Sequence, residues 1–595
     1  MGDQASRTFL SIAACLLLAL GVRAATQPSG IISPTSDSAR AQHEFLRGVT
    51  ALHNFEYEDA HEAFVRVQRA NPGFAMAYWG EAMTYHQTLW RNENIAAGRQ
   101  ALSRLGSTPA ARAARATTAK VRAFIEAVDA LFGEGDAAAR RSAYADAMGA
   151  LYARHPDDPD VASFYALALL GTMSRSLIGY VDAHEGHSAS LAGSDTQQRV
   201  ADILGKVLVS HPNHPGALHY LLHNHDDPEH ARLALSAARA YAKVAPQSSH
   251  PLHMPAHIFV QLGMWEDAAA ADRAAFAASD AWVKAKGLSP ALRSYHALSW
   301  LQYELLQLGR YDEARDSMGE LTPYVKASGN LTLLSDLSSM RARYVVETRR
   351  WDMLANERDF GNANELFAIG VSAARAGNAP LAELARQGLA TRAQSEQEGD
   401  LRPAIAIMER EVAALIELAA GRREPAVEIL EAATQAELKL PPPLGLPAPI
   451  KPAPELLGEV LLELGHPAEA IAPFRQALSR NANRTLSRLG LARASAALGQ
   501  QDAAREEYRH VLDAYARADV DRPEIGEAKA ALAGNVVGPA PWMGSGRGVI
   551  VAGVAGSIAT LVLVAWRRRS WRSGAPRARS PISRAERRRR DRAHR

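Results

Sequence analysis

The chain has 595 residues, 6% of them aromatic, with a formal net charge of +3 at pH 7 and a single cysteine. One thiol excludes intrachain disulfides and multi-thiolate metal sites, so a transition-metal site would have to use His, Asp or Glu. Ala and Leu dominate and alternating β-branched runs are scarce, which favours stacked helices, and we predict an all-α fold.

The N-terminal segment has the layout of a secretory signal peptide. Arg7 precedes the apolar stretch 9–22, and small residues lead to Ala24. We predict a signal peptide over 1–24, cleaved after Ala24, so that the exported chain has no cysteine. A myristoylation signal at Gly2 and a lipoprotein box ending at Cys15 are alternative interpretations, but Cys15 lies inside the apolar stretch rather than after it.

The body then shows a local pattern of a turn, an acidic pair and an Ala at 55–60, 263–268 and 308–314. Each copy is typical of the turn between the two helices of a tetratricopeptide (TPR) repeat, where Gly ends one helix and acidic residues favour the next. The pattern is lost over 99–210, where we predict helices without the full repeat code.

Histidines concentrate in the next part of the chain. Nine of the twenty lie between residues 211 and 257. His219 and His223 are four apart on a predicted helix over 216–224, so both imidazoles face one side, within reach of one ion. His253 and His257 precede or begin another helix, predicted from 255, because Pro255 suits a first turn and disfavours helical geometry at the residue before it.

If the helix over 229–244 is a B helix, both histidine-bearing segments lie on A helices, which line the concave groove of a TPR array. His296 is then expected on the following A helix. The candidate metal ligands are His219, His223, His253, His257, His250 and His296. Weaker candidates are Glu81, His86, Trp90 and the histidines of 182–187.

Other polar residues near the cluster have simpler interpretations. His211, His214 and His230 lie near helix ends and are expected to cap helices or face solvent. Asp227 before Pro228 is typical of a helix start. Asp226 stays open as a ligand.

Beyond these helices, seven prolines in 440–454 predict an extended strut or a ligand-like strand on the array. A 34-residue period follows, the TPR signature. The residues that repeat at this period are Leu457-Gly458, Ala470, Phe474 and Ala477, matched by Leu491-Ala492, Ala504, Tyr508 and Val511.

The C-terminal end predicts a membrane anchor. Residues 549–566 form an uncharged run of 18, just long enough for a bilayer core of about 30 Å. The tail 567–595 holds 13 arginines against Glu586 and Asp591. By the positive-inside rule the tail is cytoplasmic and the body is periplasmic or extracellular, and we expect no nucleic-acid binding.

These observations give one predicted organisation. Its segments are a signal peptide (1–24), a TPR-like repeat (40–98), an irregular helical region (99–210), a His-rich TPR core (211–320), TPR-like helices (321–439), the Pro-rich strut (440–454), two TPR repeats (455–515), a tether (516–548), a transmembrane helix (549–566) and the Arg-rich tail (567–595).

Short motifs at 74–82, 219–223, 253–259 and 456–458 resemble a group of bacterial exported TPR proteins that is distantly similar to eukaryotic tetratricopeptide repeat protein 38. The resemblance covers about residues 40–515, and its most distinctive part is His253-Met254-Pro255-Ala256-His257-Ile258-Phe259. It implies a TPR-like superhelix, an α-solenoid, but it implies no particular biochemical activity.

The sequence therefore predicts a membrane-anchored scaffold that binds a protein or peptide in its groove, with a His-rich pocket for a divalent transition metal such as Zn, Cu or Fe. The alternative is a metal-dependent hydrolytic or redox enzyme that uses the same histidines. A third interpretation is a pH sensor, because clustered imidazoles repel each other once protonated.

Overall fold

The structure, a computed structural model, describes residues 39–173, 195–358, 361–395, 399, 401–519 and 522–534. All of them belong to the first of two compact units, Met1–Gly544, and the second unit is Ser545–Arg595. Within the described ranges no helix is long and apolar enough to cross a membrane. The predicted signal peptide, transmembrane helix and tail lie outside the described residues.

The described chain is helical apart from one short hairpin, a few 3-10 turns and its loops. Its N-terminal helices are α1 Ala39–His53, α2 Tyr57–Ala70, α3 Ala75–Thr84, α4 Ile95–Leu105, α5 Pro109–Ala113, α6 Ala119–Leu131, α7 Ala137–Arg154, α8 Pro159–Thr172 and α9 Asp195–Ser210. The central helices are α10 Pro215–Asn224, α11 Ala231–Val244, α12 Ser249–Gln261, α13 Trp265–Lys286, α14 Tyr295–Gln307, α15 Tyr311–Ser328 and α16 Leu331–Thr348. The C-terminal helices are α17 Ala363–Arg375, α18 Ala379–Arg392, α19 Arg402–Ala419, α20 Arg423–Leu438, α21 Ala453–Glu463, α22 Pro467–Arg480, α23 Thr485–Ala497, α24 Gln501–Ala514 and α25 Pro523–Leu532. Strands β1 His86–Gln87 and β2 Asn92–Glu93 pair antiparallel.

Helices pack in chain order. Each central helix contacts the next, and the first members of successive pairs also touch, α10 with α12 and α14 with α16. Every residue of α10 and α14 is buried, whereas α11 and α13 each bury only one face. A helix that is apolar all round belongs inside a protein, so α10, α12 and α14 form the inner layer of an all-α solenoid.

Several turns within helix pairs use a left-handed residue. Gly263 (φ +64°) and Gly309 (φ +69°) occupy this position in two pairs. In the first pair, α1–α2, the same position holds Phe55 with φ +59°. A bulky side chain in this region costs about 1–2 kcal/mol, so Phe55 is held there by its surroundings.

Glycines also let a phenylalanine ring fill the seam between neighbouring helices. A Cβ on Gly48 or Gly80 would overlap the ring of Phe64. The C-terminal repeats show the same arrangement, where Gly458 and Gly490 face the ring of Phe474 from either side. Gly458 and Gly490 therefore mark a close helix–helix seam with no room for a methyl group.

This seam gives a matched pair of substitutions. We expect Gly490→Ala to destabilise the protein by about 1–3 kcal/mol, because overpacking forces Phe474 and the backbone to move. Gly205→Ala in α9, where nothing lies within 4 Å, should stabilise the chain by up to about 1 kcal/mol through helix propensity. Urea unfolding measures both changes, and equal effects would show that the seam is not tightly packed.

The Pro-rich segment between α20 and α21 is non-helical, and residues 443–450 are buried. Gln261 Nε2 donates to the carbonyl of Pro443 at 2.8 Å, and a Cβ on Gly445 would overlap the ring of Trp300. Arg480 donates to the carbonyls of Leu440 and Pro441. The segment therefore runs along the inner helices α12 and α14 instead of standing free in solvent.

The predicted tether over 516–548 differs from the structure at its beginning. Residues 523–532 form α25, which packs on α24. Glu527 on α25 pairs with buried Arg493 at 2.6 Å and accepts a hydrogen bond from Tyr508 at 2.8 Å. The Gly and Pro content of the wider segment hid this short helix.

Candidate metal centre

Helix α10 carries the first histidine pair as the spacing predicts. Pro215 occupies the first turn and His214 Nδ1 accepts the backbone N–H of Ala217 at 3.1 Å, which starts the helix. His219 and His223 then share one face, with their Nε2 atoms 3.1 Å apart. Both side chains are buried.

His250 completes a first triad with these two residues. It lies in the first turn of α12, and its Nε2 is 2.9 Å from Nε2 of His219. We call His219, His223 and His250 the first triad. Suitable nitrogen atoms of the three residues lie within 4.8 Å of one another.

The predicted start of the next helix at Pro255 is wrong. Helix α12 begins at Ser249 and Pro255 lies inside it, so His253 and His257 are a true helical pair with Nε2 atoms 3.0 Å apart. Pro255 forfeits a single backbone hydrogen bond, to the carbonyl of Pro251. Burial of the whole segment 251–261 outweighs that loss.

His296 completes a second triad. It lies in the first turn of α14, where sequence reasoning placed it, and its Nε2 is 3.0 Å from Nε2 of His253. We call His253, His257 and His296 the second triad. All three are buried, and each ring contacts Trp300, with centroid distances of 4.3 to 5.5 Å.

The two triads are neighbours. The ring centroids of His223 and His257 are 6.4 Å apart, and those of His250 and His253 are 6.5 Å apart. All six histidines selected from the sequence therefore lie in one place, in two groups of three.

Hydrogen bonds at Nδ1 set the orientation of three of the rings. Nδ1 of His219 donates to the carbonyl of His53 at 2.6 Å, and Nδ1 of His257 donates to Asp226 Oδ2 at 2.7 Å. Nδ1 of His253 donates to Asp272 Oδ1. Because carbonyls and carboxylates only accept, the proton of each neutral ring is on Nδ1, and the Nε2 lone pair faces the triad.

Burial favours the neutral imidazole at the centre of the first triad. It lowers the pKa of His219 to about 3, against the opposing hydrogen bond to the carbonyl of His53. His219 is therefore uncharged at neutral pH, the form that can ligate a metal.

Two carboxyl groups behind the second triad escaped the sequence analysis. Asp272 on α13 is fully buried against His253, and Glu304 on α14 lies beside Asp272. Burial, reinforced by the charge of Asp272, raises the pKa of Glu304 well above its usual range. Neither residue has a motif spacing to the histidines, and only their buried positions on apolar helices signal them.

Asp226, which the sequence left open as a metal ligand, instead accepts the hydrogen bond from Nδ1 of His257. Besides holding His257, it accepts Nε2 of Gln261 at 3.1 Å. Asp227 caps the turn before α11 by accepting the backbone N–H of Glu229 and His230. Helix α11 itself begins at Ala231, two residues later than predicted.

A third group consists of His53, Asp160 and His214. In this group N–H donors, and not nitrogen lone pairs, face the centre. Nε2 of His53 and Nε2 of His214 both lie against Asp160 Oδ1, at 2.9 and 3.1 Å. Because Nδ1 of His214 accepts the N–H of Ala217, its proton is on Nε2 and is donated to Asp160. This group presents donors instead of converging lone pairs. It fixes His53, whose carbonyl holds His219.

Phe55 covers the first triad. Its ring stacks on His223 and His250, with centroids 5.8 and 5.6 Å apart, and meets His219 edge-on at 4.4 Å. These contacts hold Phe55 in the left-handed position that Gly263 and Gly309 occupy in the α12–α13 and α14–α15 turns. The strained residue therefore belongs to the site.

A pocket of about 520 Å³ opens beside the triads. His250 of the first triad and His253 of the second line it, together with Glu56, Trp90 and Trp282. Burial, with a smaller contribution from Asp59, raises the pKa of Glu56 to about 7. Two of the six histidines therefore line the wall of this pocket.

The remaining sequence candidates lie elsewhere or have structural partners. Glu81 pairs with Arg104, and His86 Nε2 lies 3.3 Å from Glu93. His230 bonds to Asp227, and His211 contacts Ser210. Residues 182–187 lie outside the described residues.

The sequence matches no family model and no curated protein. Solved structures similar to the chain include a tetratricopeptide repeat protein from Parabacteroides merdae, with 16% identity and a TM-score of 0.28 over 48% of this chain and 98% of that chain. The APC/C hetero-tetramer Cut9-Hcn1 is similar at 12% identity and a TM-score of 0.28, over 83% of this chain and 97% of that chain. The resemblance to exported TPR proteins therefore stays a prediction, and the fold rests on the helix order and packing described above.

Proposed function

We propose that this chain is a metalloprotein that binds two transition-metal ions, one in each histidine triad. The observation that carries the proposal is the convergence of six imidazoles with Nε2 contacts of 2.9 to 3.1 Å, in two groups of three. Nitrogens bound to one Zn²⁺ at about 2.0–2.1 Å in tetrahedral geometry lie about 3.3 Å apart, close to these distances.

Hydrogen bonding among the imidazoles is a poorer explanation. The lone pair on Nε2 of His219 faces both His223 and His250, yet one lone pair accepts only one good hydrogen bond. Nε2 of His253 likewise faces two other rings. A metal ion accepts the lone pairs of three nitrogens at once, which no single proton can do.

The donor set restricts the metal and its role. Three imidazoles without thiolates suit Zn, Cu or Fe better than Mg or Ca. Three protein ligands leave one tetrahedral position for water or a substrate, the usual arrangement of a catalytic zinc site. Two such sites side by side, next to an accessible pocket, favour a metal-dependent enzyme, hydrolytic or redox, over a purely structural site.

Metal titration of the purified full-length chain, stripped with a chelator, tests the proposal. We expect uptake of two equivalents of Zn²⁺ or Cu²⁺, with Co²⁺ giving the visible spectrum of a four-coordinate histidine site. Failure to bind Zn²⁺, Cu²⁺ or Fe²⁺ would refute the proposal.

A protein-binding scaffold is the second candidate function. It is supported by the helical array and by the contacts of the Pro-rich segment. Gln261 on the inner helix α12 donates a hydrogen bond to one backbone carbonyl of that segment, and Arg480 donates to two others. A partner with a similar extended segment would use the same kind of contact. Unchanged pull-down of partners after replacement of Gln261 and Arg480 by Ala would count against it.

We also propose that the body is exported and anchored by residues 549–566, with the Arg-rich tail in the cytoplasm. The apolar run and the arginines after it support this topology. The intact chain should sediment with membranes and become soluble after cleavage before Gly546. Sedimentation that does not depend on this segment would contradict the anchor.

A further inference from the structure

We propose that the pocket beside the triads binds a small organic amine as its ammonium ion. The ammonium site is defined by the pocket walls alone, while its position next to two metal ions rests on the proposed function. The argument uses the size of the pocket, the charge of its walls and two buried polar atoms.

The pocket has the size and position of a ligand site. Its volume of about 520 Å³ lies in the usual range for small-molecule sites. His250 and His253 line one wall, so a bound molecule touches one member of each triad. A substrate in this pocket would lie against both proposed metal sites.

The other walls favour a cation. Phe55, Tyr57, Trp90 and Trp282 supply aromatic surface, and aromatic faces attract ammonium groups. Acidic side chains of residues 56, 58 and 59 also line the pocket, and none of the described lining residues is lysine or arginine.

One nearby lysine is already engaged with acidic groups. Lys286 pairs with Asp59 at 2.6 Å and with Glu62 at 2.8 Å. Its ammonium group lies 5.1 Å from the centroid of the Trp282 ring, a cation–π contact within the chain itself. Asp59 is therefore paired, and Glu56 is the acidic group that a ligand would meet next to the histidines.

Two buried polar atoms in the walls define the polar groups of the ligand. Glu56 Oε1 and Trp90 Nε1 have no hydrogen-bond partner among the described residues. The Glu56 carboxylate also accepts the backbone N–H of His250, which holds it at the pocket wall. Because unpaired buried polar groups are costly, the best ligand has an ammonium group for Glu56 and an oxygen acceptor for Trp90.

Calorimetry with three probes of one shape tests the charge preference, using the metal-free and the metal-loaded chain. We expect benzylamine to bind, benzyl alcohol to bind about tenfold more weakly or worse, and benzoate not to bind. Equal binding of benzylamine and benzyl alcohol would overturn the proposal. If the chain binds benzylamine but takes up no metal, the amine proposal holds and the proposed function fails. If the chain takes up metal but does not prefer benzylamine, the proposed function holds and the amine proposal fails.

Two variants test the polar contacts, with a matched control. Glu56→Gln should weaken benzylamine binding about tenfold and leave benzyl alcohol unchanged, whereas Glu126→Gln, at an exposed residue of α6 that does not line the pocket, should change neither. Trp90→Phe keeps a ring but removes the N–H, so it should weaken 2-amino-1-phenylethanol more than benzylamine. Circular dichroism and metal content verify that each variant folds, and wild-type affinity in folded Glu56→Gln would overturn the proposal.

Discussion

Replacement of His253 by Ala is expected to lower the bound metal from two ions per chain to one. His253 is the centre of the second triad, because its Nε2 contacts both His257 and His296. The two remaining imidazoles cannot hold an ion tightly, while the first triad keeps all its members. His219→Ala should remove the other ion for the same reason, and the double variant should bind none.

The metal should also stabilise the fold, because ligands on α10, α12 and α14 are joined through it. A ligand present at a thousandfold excess over its dissociation constant adds about 4 kcal/mol to the free energy of unfolding. We therefore expect a chelator to lower the unfolding midpoint of the wild-type chain and to leave that of the double variant unchanged. Elemental analysis and thermal unfolding measure the two effects.

His510→Ala is the matched control, since this histidine is exposed on α24. It should keep two ions and the wild-type response to chelator. Two ions retained in the double variant would show that metal binds elsewhere. A scaffold without metal would give a third pattern. The chelator would leave the unfolding midpoint unchanged, and histidine replacement would alter it only through lost packing.

Sequence reasoning could place the six histidines because their spacing and helix order carry the information. His219 and His223 follow the helical period, and His296 follows from counting inner helices. The error at Pro255 arose because the preference of proline for a first helical turn was given more weight than the burial of the whole helix. That burial cannot be recognised from a short stretch of sequence. Asp272 and Glu304 were missed since they meet His253 only through the packing of α13 and α14.

Phe55 shows how a departure from a repeat can point to a candidate site. Equivalent turns carry Gly263 and Gly309, so a phenylalanine at this position is a local departure from the pattern. The departure was visible in the sequence, but its reason, the three imidazoles under the ring, lies more than 160 residues away along the chain. The pocket beside Phe55 was equally out of reach, because its walls come from separate segments.

Arg484→Leu is expected to destabilise the protein by about 3–5 kcal/mol, the usual cost of removing one partner of a buried ion pair. The guanidinium is fully buried and forms two hydrogen bonds with Glu455, at 2.8 and 2.9 Å. It also pairs with Glu347 at 2.6 Å and donates to the hydroxyl of Tyr303 at 3.2 Å. Its loss leaves two buried carboxylates without this partner, in a position where water cannot solvate them.

This ion network links the second histidine triad to the C-terminal repeats. Tyr303 lies on α14, the helix that carries His296, and the next residue after Arg484 bonds to the same helix. The Thr485 hydroxyl donates to the carbonyl of Gln307 at 2.7 Å. Arg484→Leu should therefore loosen α14 and weaken metal binding in the second triad more than in the first.

Urea unfolding and metal titration measure these effects, with Arg315→Leu as the control. Arg315 is exposed, and its ion pairs within the described part of the chain are with neighbours on its own helix, so its replacement should leave the midpoint unchanged. The combined Arg484→Leu and Glu455→Leu variant should recover part of the loss, because it removes one of the stranded charges. Wild-type stability of the single variant would show that the network contributes nothing.

The pH dependence of stability distinguishes this ion network from simple packing. Burial alone would raise the pKa of Glu455, but Arg484 and Lys451 outweigh it and hold that pKa well below the usual range. A depressed pKa in the folded state gives stability that is present above the unfolded value of about 4.3 and is lost as the pH falls below it. In Arg484→Leu the pKa of Glu455 should rise toward its unfolded value. The variant should therefore lose less stability than the wild type on acidification from pH 5 to pH 3. If the substitution caused only a packing defect, the variant and the wild type would lose the same free energy of unfolding over this pH range.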